Sequence, residues 1–371
     1  MGCLKAPIAV GYPGECSPGY SRGEGAGLRV ALEPRGPAEK KNPLLYGLVG
    51  LAAGFALSVL LGALTPVGVT GVAHALYVNL SELRFWLLSL PYFAPIAASA
   101  AGLVLAYRAG FITIGSEGQV ILGAVVAYGL LYFILPQQYP ALALAAAMAA
   151  AALAGALYGL VVGVLRVYLG ANETLVSLML NYTAVALVNY LVAGPWQSGP
   201  FTRTEPLPDR FWISGLVSAI ITTVFIALLE ALYMYTRLGI AVDSISRARR
   251  AAETYGVDPS RAILVVAALA GAAAGLGGGL YMAAEQHQLL SLGKQGLGYG
   301  YMGILAAWLA GLRPIATIAA GLLITLLYNM FVSLQLQGIP ASFVLAFEAV
   351  IVLSVLASTT LSRYRVVIRH G

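Results

Sequence analysis

RLGIAVDSISRARRAAETYGVDPSR, residues 237–261, is the longest strongly polar interval between apolar segments in the chain. It carries Arg237, Arg247, Arg249, Arg250 and Arg261 against Asp243, Glu253 and Asp258, so it belongs in water, on the cytoplasmic side by its arginine content. The flanking chain does not. Almost everything else after Pro43 is apolar enough to sit in lipid. A long wet interval in such a chain has few uses beyond contact with a partner.

Of 371 residues, 60% are hydrophobic and only 10% charged, with a mean hydropathy of +0.84. Soluble domains carry about 25% charged residues. The composition is therefore that of an all-α polytopic membrane protein. The formal charge of +6 does not imply nucleic acid, because the basic residues are scattered at the ends of apolar runs instead of clustered among aromatics. Cys3 and Cys16 both lie near the start, where a disulfide has nothing to staple and no further metal ligands are at hand. Residues 1–42, rich in Gly, Pro and charge, are expected to be a disordered cytoplasmic tail. The opening Met1-Gly2-Cys3 suggests lipidation, but Ala6 stands where the myristoylation pattern has Ser or Thr.

A membrane-crossing helix needs about 20 apolar residues. On that ruler ten spans are predicted, near 44–64, 91–107, 116–135, 141–169, 173–192, 213–235, 262–284, 297–312, 314–334 and 341–361. The second and eighth are short enough to be broken or re-entrant. With both termini cytoplasmic, only Arg84, Arg203, Arg210 and Lys294 of the 21 Lys and Arg fall outside, the asymmetry that positive-inside orientation demands. The expected organisation is a tail over 1–42, a membrane domain over 43–362 interrupted by the cytoplasmic interval 237–261, and a cytoplasmic tail over 363–371.

Gly155, Gly159 and Gly163 recur every fourth residue in the fourth span, as do Gly271, Gly275 and Gly279 in the seventh. That spacing puts each set on one helix face, where the missing side chains let another helix approach closely. A nucleotide-binding reading of residues 275–279, GLGGG, fails because no strand precedes them and the chain has no GxxxxGK[ST] element. The chain is thus expected to bind no ATP by a P-loop and no cofactor.

Charged residues inside spans are functional candidates by default, since burying them in lipid is costly. Glu117 and Glu173 lie near helix starts, Glu230 in the sixth span and Glu348 in the tenth. Ser116 and Asn172 are expected to cap the helices that Glu117 and Glu173 begin. The sharper alternative is that Glu117, Gln119, Asn172, Glu173 and Asn181 line or brace a passage. Glu230 is expected to snorkel toward Arg237, and Glu348 has no evident partner. His74, His287 and His370 are isolated, without the spacing of a metal site. No nucleophile, base and orienter assemble, which argues against an intramembrane enzyme. The ionisable set is also sparse for an ion-coupled secondary transporter.

Residues 110–124, GFITIGSEGQVILGA, and 171–182, ANETLVSLMLNY, the latter continuing into NYLVAGPW at 189–196, resemble permease subunits of ABC importers for nucleosides and simple sugars. These subunits belong to a wider group with the ribose and branched-chain amino acid permeases. In 237–261, Ala251, Ala252, Gly256 and Val257 fall at the family's Ala-Ala and Gly-Ile positions, while Arg247-Ala248 replaces its Asn-Pro. Thr113 likewise stands where the family commonly has Asn. The resemblance implies a ten-helix permease with inverted halves that moves nucleosides or nucleobases, with ribose-like sugars as the alternative. It further implies a second permease subunit, identical or not, two ATP-hydrolysing subunits docked around Arg247, Arg250, Ala251, Ala252, Gly256 and Val257, and an extracellular substrate-binding lipoprotein.

Overall fold

The computed structural model describes residues 29–34, 43–64, 68–135, 138–254, 256, 258–293, 296–336 and 341–369. Cys3, Cys16, Val257 and His370 lie outside them, and the side chains of residues 246–254 and of Glu348 are likewise outside the description. The described residues up to Ser58 with those from Ala349 onward form one compact unit, and those from Val59 to Glu348 a second.

In the first unit, α1 (Pro43–Leu61) packs against α12 (Ala341–Arg363) through small residues: a Cβ added at Gly54 would sit 2.8 Å from Ile351 Cα. Within the segments expected to be a disordered tail over 1–42 and a cytoplasmic tail over 363–371, the structure has two strands. Arg29–Pro34 (β1) pairs antiparallel with Tyr364–Arg369 (β2), Ala31 opposite Val367. The Val-Val-Ile run of β2 suits an extended strand. The pairing brings the chain entering α1 and the chain leaving α12 to the same end of this unit.

The second unit is a helical bundle. Its elements are α2 (Gly68–Ser81), α3 (Leu83–Arg108), α4 (Ser116–Gly129), α5 (Pro140–Leu169), α6 (Glu173–Ala193), α7 (Gly215–Tyr235), α8 (Arg237–Thr254), α9 (Pro259–Tyr281), α10 (Tyr299–Leu309) and α11 (Thr317–Leu336). π-Helical turns at Leu130–Ile134 and Met282–Gln286 extend α4 and α9. Among the described residues, seven helices are long and apolar enough to cross a membrane: α3, α4, α5, α6, α7, α9 and α11. The chain is a polytopic, helical membrane protein. The short second span becomes the 26-residue α3, because Pro91 and Pro95 lie within the helix instead of starting it. The eighth contracts to the 11-residue α10.

Helix α9 is the axis. At Gly155 a Cβ would sit 2.2 Å from Gly271 O, and at Gly271 one would sit 2.1 Å from Gly155 O, so α5 and α9 touch backbone to backbone. Gly159 meets Ala267 O and Gly275 meets Ala151 O in the same way, each at 2.3 Å, with Gly163 and Gly279 against Ala267 and Ala151. The glycine run also serves other faces: a Cβ at Gly278 would sit 2.0 Å from Val120 O of α4, and one at Gly277 would sit 2.8 Å from Ala94 O of α3. Helices α5 and α7 turn Leu153, Leu157, Val161, Ile220, Val224 and Leu228 outward, the apolar exposure that contact with lipid requires.

Candidate functional site

Irregular backbone survives at membrane depth only where protein groups satisfy its amides and carbonyls. Two irregular stretches meet in this bundle, residues 109–115 before α4 and residues 287–293 with 296–298 before α10. In the first, Ile114 N donates to Ser177 Oγ at 3.0 Å, and Ile114 O accepts from Asn181 Nδ2 at 2.9 Å. Thr174 Oγ1 donates to Ile112 O at 2.7 Å, so α6 supplies most of what this stretch lacks. In the second, Asn189 takes both ends of Leu292, accepting its N–H at 2.8 Å and donating to its carbonyl at 3.0 Å. Thr204 Oγ1 accepts Leu289 N at 2.9 Å.

The two stretches are joined by Glu117. Its Oε1 accepts Leu297 N at 2.6 Å and Gly298 N at 2.8 Å, and its Oε2 accepts Gly300 N at 2.8 Å. The first amides of a helix have no partner within it and carry partial positive charge, so a carboxylate there is doubly favoured. Gly298, at φ +89°, makes the left-handed turn into α10 that a side chain would resist. Glu117 is 0% exposed, so its charge is met by the start of α10 and by no solvent. With 11 residues α10 rises about 16 Å, roughly half of a ~30 Å hydrocarbon layer, so the helix by itself is too short to cross one.

Ser116 does not cap α4. Gly115 holds that position, and Ser116 Oγ donates to Gly300 O at 2.9 Å. Asn181 takes over the capping, accepting Gly118 N at 2.9 Å, and donates to Tyr301 Oη at 3.2 Å. Glu117 and Asn181 are thus brought together around the start of α10. Gln119 is buried on the side of α4 facing Gly159, and its Oε1 has no protein partner. Asn172 caps α6, accepting Thr174 N and Leu175 N, while Glu173 pairs with Arg166 at 3.2 Å. Both lie away from the Glu117 cluster.

The other end of α10 is tied as well. Arg108, last residue of α3, donates through Nε to Leu312 O at 2.5 Å and through Nη1 to Asp243 Oδ1 at 3.3 Å. Its guanidinium also contacts the Tyr233 hydroxyl, and Tyr233 donates to the Asp243 carboxylate at 2.8 to 2.9 Å. Asp243 belongs to α8, so the wet helix, α3, α7 and the end of α10 share one polar knot. Glu230 does not reach for Arg237. Its carboxylate accepts Ile315 N at 3.0 Å, where the chain enters α11 and amides again lack partners. Arg247, Arg250, Ala251 and Ala252 lie on α8, and Gly256, at φ +80°, follows it. Among the described residues no group of three His, Cys, Asp or Glu is placed to hold a metal.

Ser177, Asn189, Tyr301 and Arg108 were not singled out from the sequence. Ser177 precedes Asn181 by four residues and so shares its helix face, a signal that was available. Arg108 offered none beyond its place at the end of a span.

The family model described as the permease component of branched-chain amino acid transport systems matches residues 85–358, which contain Glu117, Asn181, α8 and α10. The chain belongs to this permease family. It is 30% identical to the glucose ABC transporter permease protein TsgB13 of Haloferax volcanii over 349 residues, covering 88% of this permease and 89% of the relative. It is 24% identical to the nucleoside ABC transporter permease protein NupB of Lactococcus lactis, covering 84% and 90%. The same identity, over 85% and 92%, holds for the guanosine ABC transporter permease protein NupP of Bacillus subtilis. No solved structure matches the permease.

Proposed function

We propose that this permease is the transmembrane subunit of an ABC uptake system that carries nucleosides or nucleobases inward, driven by separate ATPase subunits. The observation that carries the reading is a half-length helix held at both ends. The start of α10 is clamped by Glu117, and its end is tied through Arg108 and Asp243 to α8. The ATPases dock on α8 and the Gly256 turn, and their ATP-driven closure pulls on Asp243. The pull reaches α10 through Arg108 and Leu312, so the wall of the passage framed by Glu117 and Asn181 shifts between outward- and inward-facing arrangements.

The membrane domain has ten crossings: the seven long helices, α1, α12, and α10 taken together with the chain that leads into it. The chain termini, Arg108, Arg166, Arg261 and Arg313 lie on the cytoplasmic side, consistent with the positive-inside pattern. An extracellular binding lipoprotein delivers substrate, and a second permease subunit completes the passage. The specific resemblance of residues 171–196 and the relatives named for nucleoside and guanosine favour nucleosides. The relative named for glucose favours a sugar as the second reading.

Reconstitution with the partner ATPase and binding protein in liposomes tests the reading. ATP-dependent uptake of labelled guanosine or adenosine is expected, with little uptake of glucose or ribose. The reverse preference would select the sugar reading, and uptake driven by an ion gradient without ATP would refute both. Docking is tested by Gly256→Val. A β-branched side chain is strained at φ +80°, so the variant should insert in the membrane yet lose the ATPase on co-purification. Normal co-purification would move the docking surface elsewhere.

A further inference from the structure

Four tyrosines from four helices converge on one another: Tyr92 of α3, Tyr281 of α9, Tyr299 of α10 and Tyr328 of α11. The Tyr281 and Tyr299 ring centroids are 4.8 Å apart, Tyr299 and Tyr328 5.3 Å, and Tyr92 and Tyr328 5.6 Å. The inner pair is buried, each 3% exposed, while Tyr92 and Tyr328 are only half-buried. The hydroxyls form a chain: Tyr328 donates to Tyr299 at 3.4 Å, Tyr299 to Tyr281 at 3.0 Å, and Tyr281 to Gln286 Oε1 at 2.6 Å. Tyr92 donates to Glu285 Oε1 at 2.9 Å, and Glu285 is exposed.

This surface is unlike the middle of α5 and α7. Where those helices are open at mid-length they show Leu, Ile and Val, as lipid demands. Here the open groups are two phenols and, in the last turn of the α9 extension, a carboxylate, groups suited to water or a polar ligand and not to lipid. Glu285 sits in the π-turn Met282–Gln286, an irregularity that in α-helices is frequent at functional sites. Asn329, next to Tyr328, donates to Ser89 Oγ of α3 at 2.7 Å, so α3 and α11 are pinned beside the open rings. Tyr299 is the first residue of α10, adjacent in sequence to Gly300, which Glu117 holds. The shelf and the clamped half-helix are one structure.

Resting on the nucleoside reading above, we propose that Tyr92, Tyr328 and Glu285 form a substrate-contact station in the passage, taking a flat nitrogen-rich ring. The base stacks on the open tyrosine faces, and Glu285 accepts a hydrogen bond from its ring N–H or exocyclic amine. A free sugar has no extended π-face to stack and no amine for the carboxylate. The station therefore selects nucleosides and bases over the sugar they contain. Because Tyr299 moves with α10, displacement of that half-helix would disturb the shelf and release the ring.

The test uses the permease with its ATPase subunits in lipid nanodiscs and 8-azidoadenosine as photoprobe. Labelling is expected on peptides containing Tyr92 or Tyr328, with protection by excess adenosine and none by ribose. In liposomes that also contain the binding protein, Tyr92→Leu with Tyr328→Leu, and separately Glu285→Ala, should each lower nucleoside uptake by about tenfold or more, the size expected when base stacking is lost. Tyr92→Phe should fall less, since the ring remains. Elution volume and melting temperature of each variant establish that it is folded. If the wild type carries nucleosides while folded leucine variants carry them equally well, or the label lands elsewhere, the station is refuted and the nucleoside reading stands. If the wild type carries no nucleoside, both fall. A change in oligomeric state in the leucine variants with normal uptake per assembled complex would reassign the tyrosines to a subunit contact and overturn the station.

Discussion

The α5–α9 seam and helix α10 are held by opposite means. Along the seam, glycines meet carbonyl oxygens so closely that a single added carbon would sit 2.2 Å from Gly271 O. Nothing there can slide without opening the contact along its length, because close-packed interiors forfeit attraction over small gaps. Helix α10 is short, and its ends are fastened by side-chain hydrogen bonds, Glu117 at one end and Arg108 at the other. Such bonds can be exchanged one for another. The bundle thus pairs a welded axis with a fastened element, the division of labour a moving passage needs.

The largest effect should come from breaking the weld. Gly155→Leu places a branched side chain where backbone occupies the space, and no flexible group can yield. The variant should fail to give a monodisperse peak on size-exclusion chromatography in detergent. A folded, transport-competent Gly155→Leu protein would mean that the seam is looser than its geometry.

Unfastening α10 should cost less and leave a folded protein. Glu117→Ala leaves the buried amides of Leu297, Gly298 and Gly300 without an acceptor, at about 1–3 kcal/mol for each unsatisfied group. A loss of at least about 3 kcal/mol in total is expected, read as a drop in melting temperature, together with loss of uptake. Glu117→Gln keeps one acceptor oxygen and should fall between. An unchanged melting temperature and unchanged uptake in Glu117→Ala would show that the clamp is dispensable.

The smallest effect sharpens the contrast from outside both regions. Asn172 caps α6 at its exposed start, accepting two amides that water can also reach. Asn172→Ala should cost about 1 kcal/mol with transport retained. A loss of uptake as large as that of Glu117→Ala would bring Asn172 into the passage after all.

Much of the fold was legible because the membrane restricts what a chain can do. An apolar run of the right length has to be a helix, as seen for α5, α6, α7 and α9, and small residues every fourth position mark a close face. The same rule misled at Pro91, where a proline read as a helix start lies inside α3; at 297–312 the shortness of the run already allowed a broken span, and α10 is a half-length helix. At the candidate site, Glu117 and Asn181 stood out as polar groups in apolar surroundings. The actual partners of Glu117 did not, because they are backbone amides about 180 residues away in sequence, and any residue supplies an amide.

By itself, then, the sequence determined that the chain is a helical membrane protein, which long stretch is polar, where its helices can touch and which buried polar groups need a reason. Hydropathy and residue spacing are local properties, and those conclusions follow from them. Only the tertiary structure decided that Glu117 is saturated by the start of α10, that Arg108 ties α10 to α8, and that four tyrosines from four helices meet. Each of these depends on which helix stands beside which, and local pattern carries no record of that.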